Sequence, residues 1–313
     1  MLDFLFGFFS YDLAIDLGTA NILVAIKDKG IVVREPSVVA RHRKTKKLLA
    51  IGSEAKKMVG KTPTSIEALR PLRNGVISDF DATAAMLGHY IKLVHQRPQQ
   101  YIPSIPRPRV VIGIPSGVTE VERRAVQEAA FDAGARKAFL IEEPMAAAIG
   151  AGLPVQEARG SMIVDIGGGT TEIAVISLGG LVVNRSIRVA GDLMDEAIIS
   201  FARLKHSMLL GEQTSEQVKI SVGSAFQIDD TKQTVVRGRD LESGLPKSLK
   251  INAGEIREAL APVVNEIVSG VKDVIEETPP EFIGDIMEQG ITLAGIRMLG
   301  PACLHGNSVS ACS

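Results

Sequence analysis

Two stretches of the chain, DLGTAN beginning at Asp16 and DIGGGTT beginning at Asp165, each set a carboxylate at the end of an apolar run and follow it with small residues. A turn rich in glycine and threonine lets successive backbone N–H groups come close to phosphate oxygens, an approach that bulkier residues would block. The hydroxyls of Thr19, Thr170 and Thr171 add donors. An aspartate just ahead of such a turn can hold Mg2+, directly or through the waters this ion keeps. One strand-Asp-Gly-turn is equally the signature of an ordinary hairpin. Two related copies across a two-domain cleft would form a phosphate clamp, and that is the chemistry expected of them. Two rival motifs fail. Gly60-Lys61-Thr62 resembles the end of a Walker A loop, but Ala55 stands where its first glycine is required, Pro63 follows, and no apolar strand leads in. The turns also miss the G-x-G-x-x-G spacing of dinucleotide folds, which need no acid at the place of Asp165.

The elements that position these turns come twice. Leu13 to Ala40 can be laid over Met162 to Ala190, with Asp16 on Asp165, Gly18 on Gly167, Gly30 on Gly180 and Val39 on Val189. Each copy reads as a buried strand, a glycine turn, a second strand and a third. Two halves of about 150 residues therefore suggest a duplicated domain. Beyond the first copy, DFDATAAMLGHYIKLVH has helical spacing, RVVIGIPSG reads as a strand and turn, a helix runs from Thr119 to Ala133, and FLIEEPMAAAIGAG passes from strand to helix. The second half predicts helices from Asp192 to about Met208, from about Ser215 to Phe226 and from Ala253 to Glu277. Pro262 should kink the last of these and Pro279 and Pro280 should end it. Alternating strands and helices argue an α/β fold with helix-covered sheets.

The 313 residues are 45% hydrophobic and 23% charged, with 35 basic against 36 acidic side chains. Such a chain has material for a large core or two domains, and its balanced charge gives no global field to draw in nucleic acid. Four of the ten phenylalanines lie in the first ten residues, and both cysteines, Cys303 and Cys312, lie near the end. The thiol-free stretch before Cys303 suits a reducing compartment and excludes a disulfide framework. No run of about 20 apolar residues occurs, as a membrane-spanning helix would need. The opening MLDFLFGFFS lacks the basic region and cleavage site of a secretory signal. Read as a helix it gathers Asp3, Gly7 and Ser10 on one stripe, with Leu2, Phe4, Leu5, Phe6, Phe8 and Phe9 around the rest. It suits either a membrane interface, where each buried Phe contributes roughly 1.5–3 kcal/mol, or an arm packed in a protein groove.

The motifs so far resemble the actin, Hsp70 and sugar-kinase superfamily and, within it, the MreB family of bacterial rod-shape-determining actin homologues. DLGTAN matches the first phosphate motif, IEEPMAAAIGAGLP the first connecting helix and DIGGGTTEIAVISLGG the second phosphate motif; REPSVVA, RPLRNGVISDFDAT, PSGVTEVERRAV, SIRVAGD, MDEAII, GRDLESGLPK and ETPPE extend the likeness to about residue 295. The resemblance implies an actin-like, ribonuclease H-like duplicated two-domain ATPase fold with inserted subdomains. Domain I would cover 11–150 with an insert at about 33–75, and domain II 151–295 with an insert at about 181–250. By the same resemblance Asp16 and Asp165 organise Mg2+, with Gly18, Thr19, Ala20, Asn21, Gly167, Gly168, Gly169 and Thr170 around the phosphates of ATP. Glu143 orients and polarises the attacking water with Thr170 beside it, which suits phosphoryl transfer to water, a reaction governed by positioning and charge. Glu142 is expected only to compensate the helix N-terminus.

For the nucleoside, Thr214 is a candidate helix cap with Gln217 three residues on, and Glu216, Lys219 and Gly223 follow on one face. The resemblance assigns Glu216 and Lys219 to ribose hydroxyls and Gly223 to close approach by the base; without it the pair reads as an exposed i, i+3 ion pair. Gly295 alone is left of the family's glycine run against the adenine, since Ile296 and Arg297 stand where further glycines would be. Residues 296–313 depart from the family, and a shifted frame or premature end is the expectation for that tail. Cys303, His305 and Cys312 lack a fourth ligand for a metal.

The function so implied is a weak ATPase that polymerises on itself under the cytoplasmic membrane, maintains cell shape and positions cell-wall synthesis with the cell-wall elongation proteins. ATP hydrolysis would switch filament states. Within the family the phenylalanine cluster at residues 1–10 becomes an amphipathic membrane-binding segment, because a filament multiplies weak anchors by avidity. The chain is thus expected in the cytoplasm, peripheral on the inner face of the membrane. An Hsp70-like ATPase or a small-molecule kinase would share both turns, yet no peptide-binding domain and no second substrate pocket can be found in the sequence.

Overall fold

Alternation of apolar and polar residues builds the first strand and also aims its aspartate. In the computed structural model, which describes residues 10–96, 107–227 and 230–295, Leu13, Ile15 and Leu17 of β1 (Leu13–Leu17) are buried while Ala14 and Asp16 face outward. The chain divides into two units, residues 1–146 and 147–313.

In the first unit, β1 pairs antiparallel with β2 (Asn21–Ile26), which pairs with β3 (Gly30–Pro36). A three-stranded sheet follows from β4 (Val39–His42), β5 (Leu48–Ile51) and β6 (Ile66–Leu69), with α1 (Ser53–Met58) against it and the short pair β7 (Leu72–Arg73) and β8 (Val76–Ile77) after it. The chain then returns through α2 (Phe80–His95), β9 (Arg109–Ile114), α3 (Glu120–Asp132) and β10 (Lys137–Glu142) to α4 (Glu143–Gly150), which runs across the boundary into the second unit. The main sheet has the order β10-β9-β1-β2-β3, with β1, β9 and β10 parallel. Helix α2 starts where the Asp79 carboxylate accepts from Ala82 N–H. A capping box between Thr119 and Glu122 starts α3. Both helices lay apolar faces on the sheet, where Met86, Leu87, Tyr90 and Ala129 join Ile15, Val24 and Ile112 in one core.

The second unit repeats the opening. Strand β11 (Ser161–Ile166) pairs antiparallel with β12 (Thr171–Ser177), and β12 with β13 (Gly180–Ile187). All seven residues of β12 are buried, the mark of a strand covered on both faces. After β13 come α5 (Gly191–His206), β14 (Met208–Leu209), α6 (Glu212–Val222), the hairpin of β15 (Gln233–Asp240) and β16 (Pro246–Asn252), α7 (Ala253–Glu277), α8 (Pro280–Gln289) and β17 (Ile291–Gly295). The sheet order is β13-β12-β11-β17, with β17 parallel to β11. Helix α7 continues unbroken through Pro262, and α8 begins directly after Pro279. The expected helix start at Thr214 is corrected. The N–H groups of Thr214 and Ser215 already donate to Gly211 O, so Gly211 caps the helix and Thr214 lies in its first turn.

No helix among the described residues is long and apolar enough to cross a membrane. The segment carrying Leu2, Phe4, Leu5, Phe6, Phe8 and Phe9, and the tail from Ile296, lie outside the described residues.

Candidate functional site

The carboxyl ends of β1, β9 and β10 bring two of the singled-out residues of the first unit, Asp16 and Glu143, close together. Asp16 pairs in register with Gly113 of β9, and Gly113 with Ile141 of β10. Glu143 follows β10 as the first residue of α4, and a Cβ added to Gly113 would lie 3.5 Å from its Cγ. The Glu143 side chain thus lies beside the strand that pairs with the Asp16 strand, within ordinary contact distance of the Gly113 position. Ligands of α/β sheets gather at the carboxyl ends of parallel strands.

The turn at residues 18–20 is tied down from behind. Gly18 O accepts from Ser37 Oγ at 2.6 Å and Ala20 O from Ser37 N at 3.0 Å. Thr19 is buried, its Oγ1 accepting from Gly75 N at 3.0 Å, so that hydroxyl also braces the turn. A Cβ on Gly18 would sit 2.7 Å from Asn21 O, which only glycine avoids. The Asp16 side chain is exposed, yet desolvation by the surrounding protein pushes its carboxyl up to about 6. A cation at this carboxylate would reverse that direction.

The turn of the second unit is held in the same manner. Gly167 N donates to Thr170 O at 2.8 Å, while Gly167 O and Gly168 O accept from the Gly191 and Asp192 N–H groups at 3.2 and 2.8 Å. Among the described residues the N–H groups of Gly168, Gly169 and Thr170 have no protein acceptor. Such a run of unmatched donors is what an anion-binding nest requires. Thr170 is buried at the end of the turn. Thr171 does not add the donor expected of it, because its hydroxyl already donates to Val189 O at 2.6 Å.

Asp165 pairs with Glu172 across the hairpin and with Ala294 on the other side, and Glu172 pairs with Ser186. Directly opposed residues share a sheet face, so Asp165, Glu172 and Ser186 form a polar row. Glu172 is 1% exposed and accepts from Ser186 Oγ at 2.6 Å. It was missed in the sequence, although a lone carboxylate in TEIAVIS was its signal. Gly295, opposite Ile166, lies against the end of this row. A Cβ there would lie 2.4 Å from Asp165 Oδ1 and 2.3 Å from Ile166 O.

The nucleoside candidates come out differently. Lys219 is buried, and its ammonium donates to Asp195 Oδ2 at 2.9 Å and Gly191 O at 2.8 Å. It is therefore no member of an exposed ion pair, because α6 packs this face against α5. Glu216 is half-buried three residues earlier. Gly223 ends α6, where a Cβ would be 2.3 Å from Lys219 O. Glu142 closes β10, and the guanidinium of Arg123 lies 3.8 Å away. A strand position rather than a helix start thus sets its surroundings. Among the described residues no group of three or more His, Cys, Asp or Glu side chains converges as a metal site by itself.

A family model described as MreB/Mbl protein matches residues 10–307. The cell shape-determining protein MreB of Escherichia coli K12 is 52% identical over 293 residues, covering 92% of this chain and 83% of its own. Crystal structures of MreB5 of Spiroplasma citri bound to AMPPNP and to ADP are 40% identical, cover 91% of this chain and 84% of theirs, and superpose with TM-scores of 0.84 and 0.85. These likenesses establish the actin-like α/β fold that the motifs implied.

Proposed function

The chain belongs to the MreB/Mbl family, and from that membership we propose that it is an ATP-binding, polymerising cytoskeletal protein that determines cell shape. The observation that carries the reading is the pair of braced glycine turns, each following a strand-borne aspartate, in a chain 40% identical to a protein crystallised with AMPPNP and with ADP. ATP with Mg2+ would supply the transferable phosphoryl group and the charge that neutralises it. The donors fit these groups: carboxylate oxygens at Asp16 and Asp165 suit a hard cation, and the unmatched N–H groups of Gly168, Gly169 and Thr170 suit phosphate oxygens. Asp16 and Asp165 hold the cation or its waters. Glu143 and Thr170 are assigned to orienting the attacking water, and Glu216, Lys219, Gly223 and Gly295 to the nucleoside side.

Self-association into filaments, a peripheral position on the inner face of the cytoplasmic membrane through Leu2, Phe4, Leu5, Phe6, Phe8 and Phe9, and work with cell-wall elongation proteins complete the proposal. Sedimentation with ATP and Mg2+ tests its core: pelleted polymer with phosphate release supports it, and a soluble monomer that phosphorylates a small molecule overturns it. Polymer that floats with anionic liposomes, and fails to once residues 1–10 are removed, supports the membrane part; continued flotation after removal overturns it.

A further inference from the structure

The amino ends of β1, β9 and β10 share one end of the first unit's main sheet, away from the carboxyl ends that carry Asp16 and lead to Glu143. Strand β2 runs antiparallel to β1, so its turn into β3 reaches the same end. Cations gather there. Lys27 and Lys29 lie in that turn, Arg107 and Arg109 at the start of β9, and Arg136 and Lys137 at the start of β10; all but the half-buried Arg136 are exposed. Backbone pairing holds these segments side by side. Lys27 N donates to Asp12 O at 3.2 Å, Arg136 N donates to Pro108 O at 2.9 Å, and Lys137 pairs in register with Arg109. Three acids stand against the six cations: Asp12, Asp28 and, at the end of α3, Asp132. Asp12 is in an ion pair with Arg109. The Arg109 hydrogen bond keeps its carboxyl below the usual carboxylate range against desolvation, with Arg136 and Lys27 adding to the pull. Positive charge thus dominates this end of the sheet.

The amino-terminal segment joins the fold at the same place. Ser10 Oγ accepts from Arg107 N at 2.9 Å, Tyr11 N donates to His95 Nε2 at 2.9 Å, and the Lys29 ammonium lies 4.2 Å from the centre of the Tyr11 ring. These contacts fall well within a Debye length of about 8–10 Å. Segments that lie in a membrane interface ordinarily carry Lys or Arg on their polar face. MLDFLFGFFS holds neither, and its polar stripe includes Asp3. A modest apolar anchor binds reversibly, and stable attachment needs a second signal such as a polybasic patch.

We propose that the cationic end of the sheet formed by Lys27, Lys29, Arg107, Arg109, Arg136 and Lys137 is a docking surface for the anionic headgroups of a lipid bilayer. It supplies the electrostatic half of an attachment whose apolar half is the amino-terminal segment. The inference rests on the reading of residues 1–10 as membrane-binding. Because this surface lies at the other end of β1 from Asp16, lipid contact there leaves the turn at residues 18–20 open.

The test measures partitioning of the full chain, without nucleotide, onto vesicles of phosphatidylcholine alone and of equal parts phosphatidylcholine and phosphatidylglycerol. Wild type should favour the anionic vesicles and lose that preference as salt rises. Lys27→Gln with Lys29→Gln should weaken binding to anionic vesicles by about 25-fold, roughly fivefold for each cation at such a surface, and leave binding to neutral vesicles unchanged. Arg237→Gln with Lys250→Gln, an equal charge change at exposed residues of the second unit, should leave both unchanged. Undiminished binding of the first variant, or an equal loss in the second, overturns the proposal. Equal binding of wild type to both vesicles also overturns it, while leaving the amino-terminal segment as an anchor by itself. Wild type that binds neither vesicle refutes the membrane reading, and the proposal with it. A first variant that keeps its vesicle binding but no longer pellets with ATP and Mg2+ would assign this surface to contact between copies of the chain instead.

Discussion

Gly295→Ala is the sharpest single perturbation of the second glycine turn, because one added carbon meets both the sheet and the aspartate. The new Cβ would stand 2.3 Å from Ile166 O and 2.4 Å from Asp165 Oδ1, against the 3.3 Å or so at which carbon and oxygen meet without repulsion. Each contact is thus about 1 Å too short. Ile166 O is backbone in a paired strand, with Ile166 opposite Gly295 itself, so the strand ends must part or the carboxylate must swing away. Gly295 also has φ +92, where a side chain costs about 1–2 kcal/mol. Overpacking adds about 1–3 kcal/mol, for a total of about 2–5 kcal/mol. In a domain of this size that corresponds to a fall in Tm of about 4–20 °C. Displacement of Asp165 should in addition remove the stabilisation by Mg-ATP, which at one hundred times Kd is about 2.7 kcal/mol. Scanning calorimetry with and without Mg-ATP reads both effects. A Tm within about 1 °C of wild type would refute the steric reasoning, and a lowered Tm with an undiminished ligand shift would refute the placing of Asp165 at the cation.

Other perturbations separate the roles. Glu143→Ala should keep nucleotide and slow phosphate release; an unchanged hydrolysis rate in a coupled phosphate assay would count against its role on water. Asp16→Ala should abolish the Mg2+ dependence of nucleotide binding in equilibrium titrations, and retained dependence would move the cation elsewhere. Arg41 is buried and holds Glu67 and Asp79 at 2.6 Å each, so Arg41→Met should cost about 3–5 kcal/mol in denaturant unfolding. The same pairs predict a pH dependence. The Arg41 hydrogen bond lowers Glu67; at Asp79 burial pulls upward, and the contacts with Arg41 and Ala82 N–H outweigh it. Depressed carboxyls contribute stability above their unfolded values near 4 and lose it as pH falls through the folded ones. Unfolding midpoints should therefore drop more steeply below pH 4 in wild type than in Arg41→Met; parallel curves would refute the linkage.

Much of the fold was legible because its periodicities are local. The duplicated strand-turn-strand pattern, the capping box at Thr119 and Glu122 and the helix Ala253–Glu277 follow from side-chain spacing and short-range hydrogen bonds. The start of α6 was not, since Gly211 competes with Thr214 through backbone geometry that no side chain reveals. The two aspartates and glycine turns could be read from their order along the chain, and the family likeness covers the same residues. What holds the turns could not. Ser37 grips Gly18 and Ala20, and Gly191 and Asp192 grip Gly167 and Gly168, from 17 to 24 residues away in sequence.

By itself the sequence determined that this is a duplicated α/β chain with two phosphate-type turns, because strand alternation, glycine and aspartate act on their nearest neighbours. Tertiary structure alone decided which polar groups remain for chemistry. Thr171 and Thr19 brace the fold, Lys219 turns inward to Asp195 and Gly191, and Glu172 joins Asp165 in one row. The physical reason is that a donor's availability depends on acceptors brought to it by packing, and in these cases the acceptor comes from another strand or helix of the same unit.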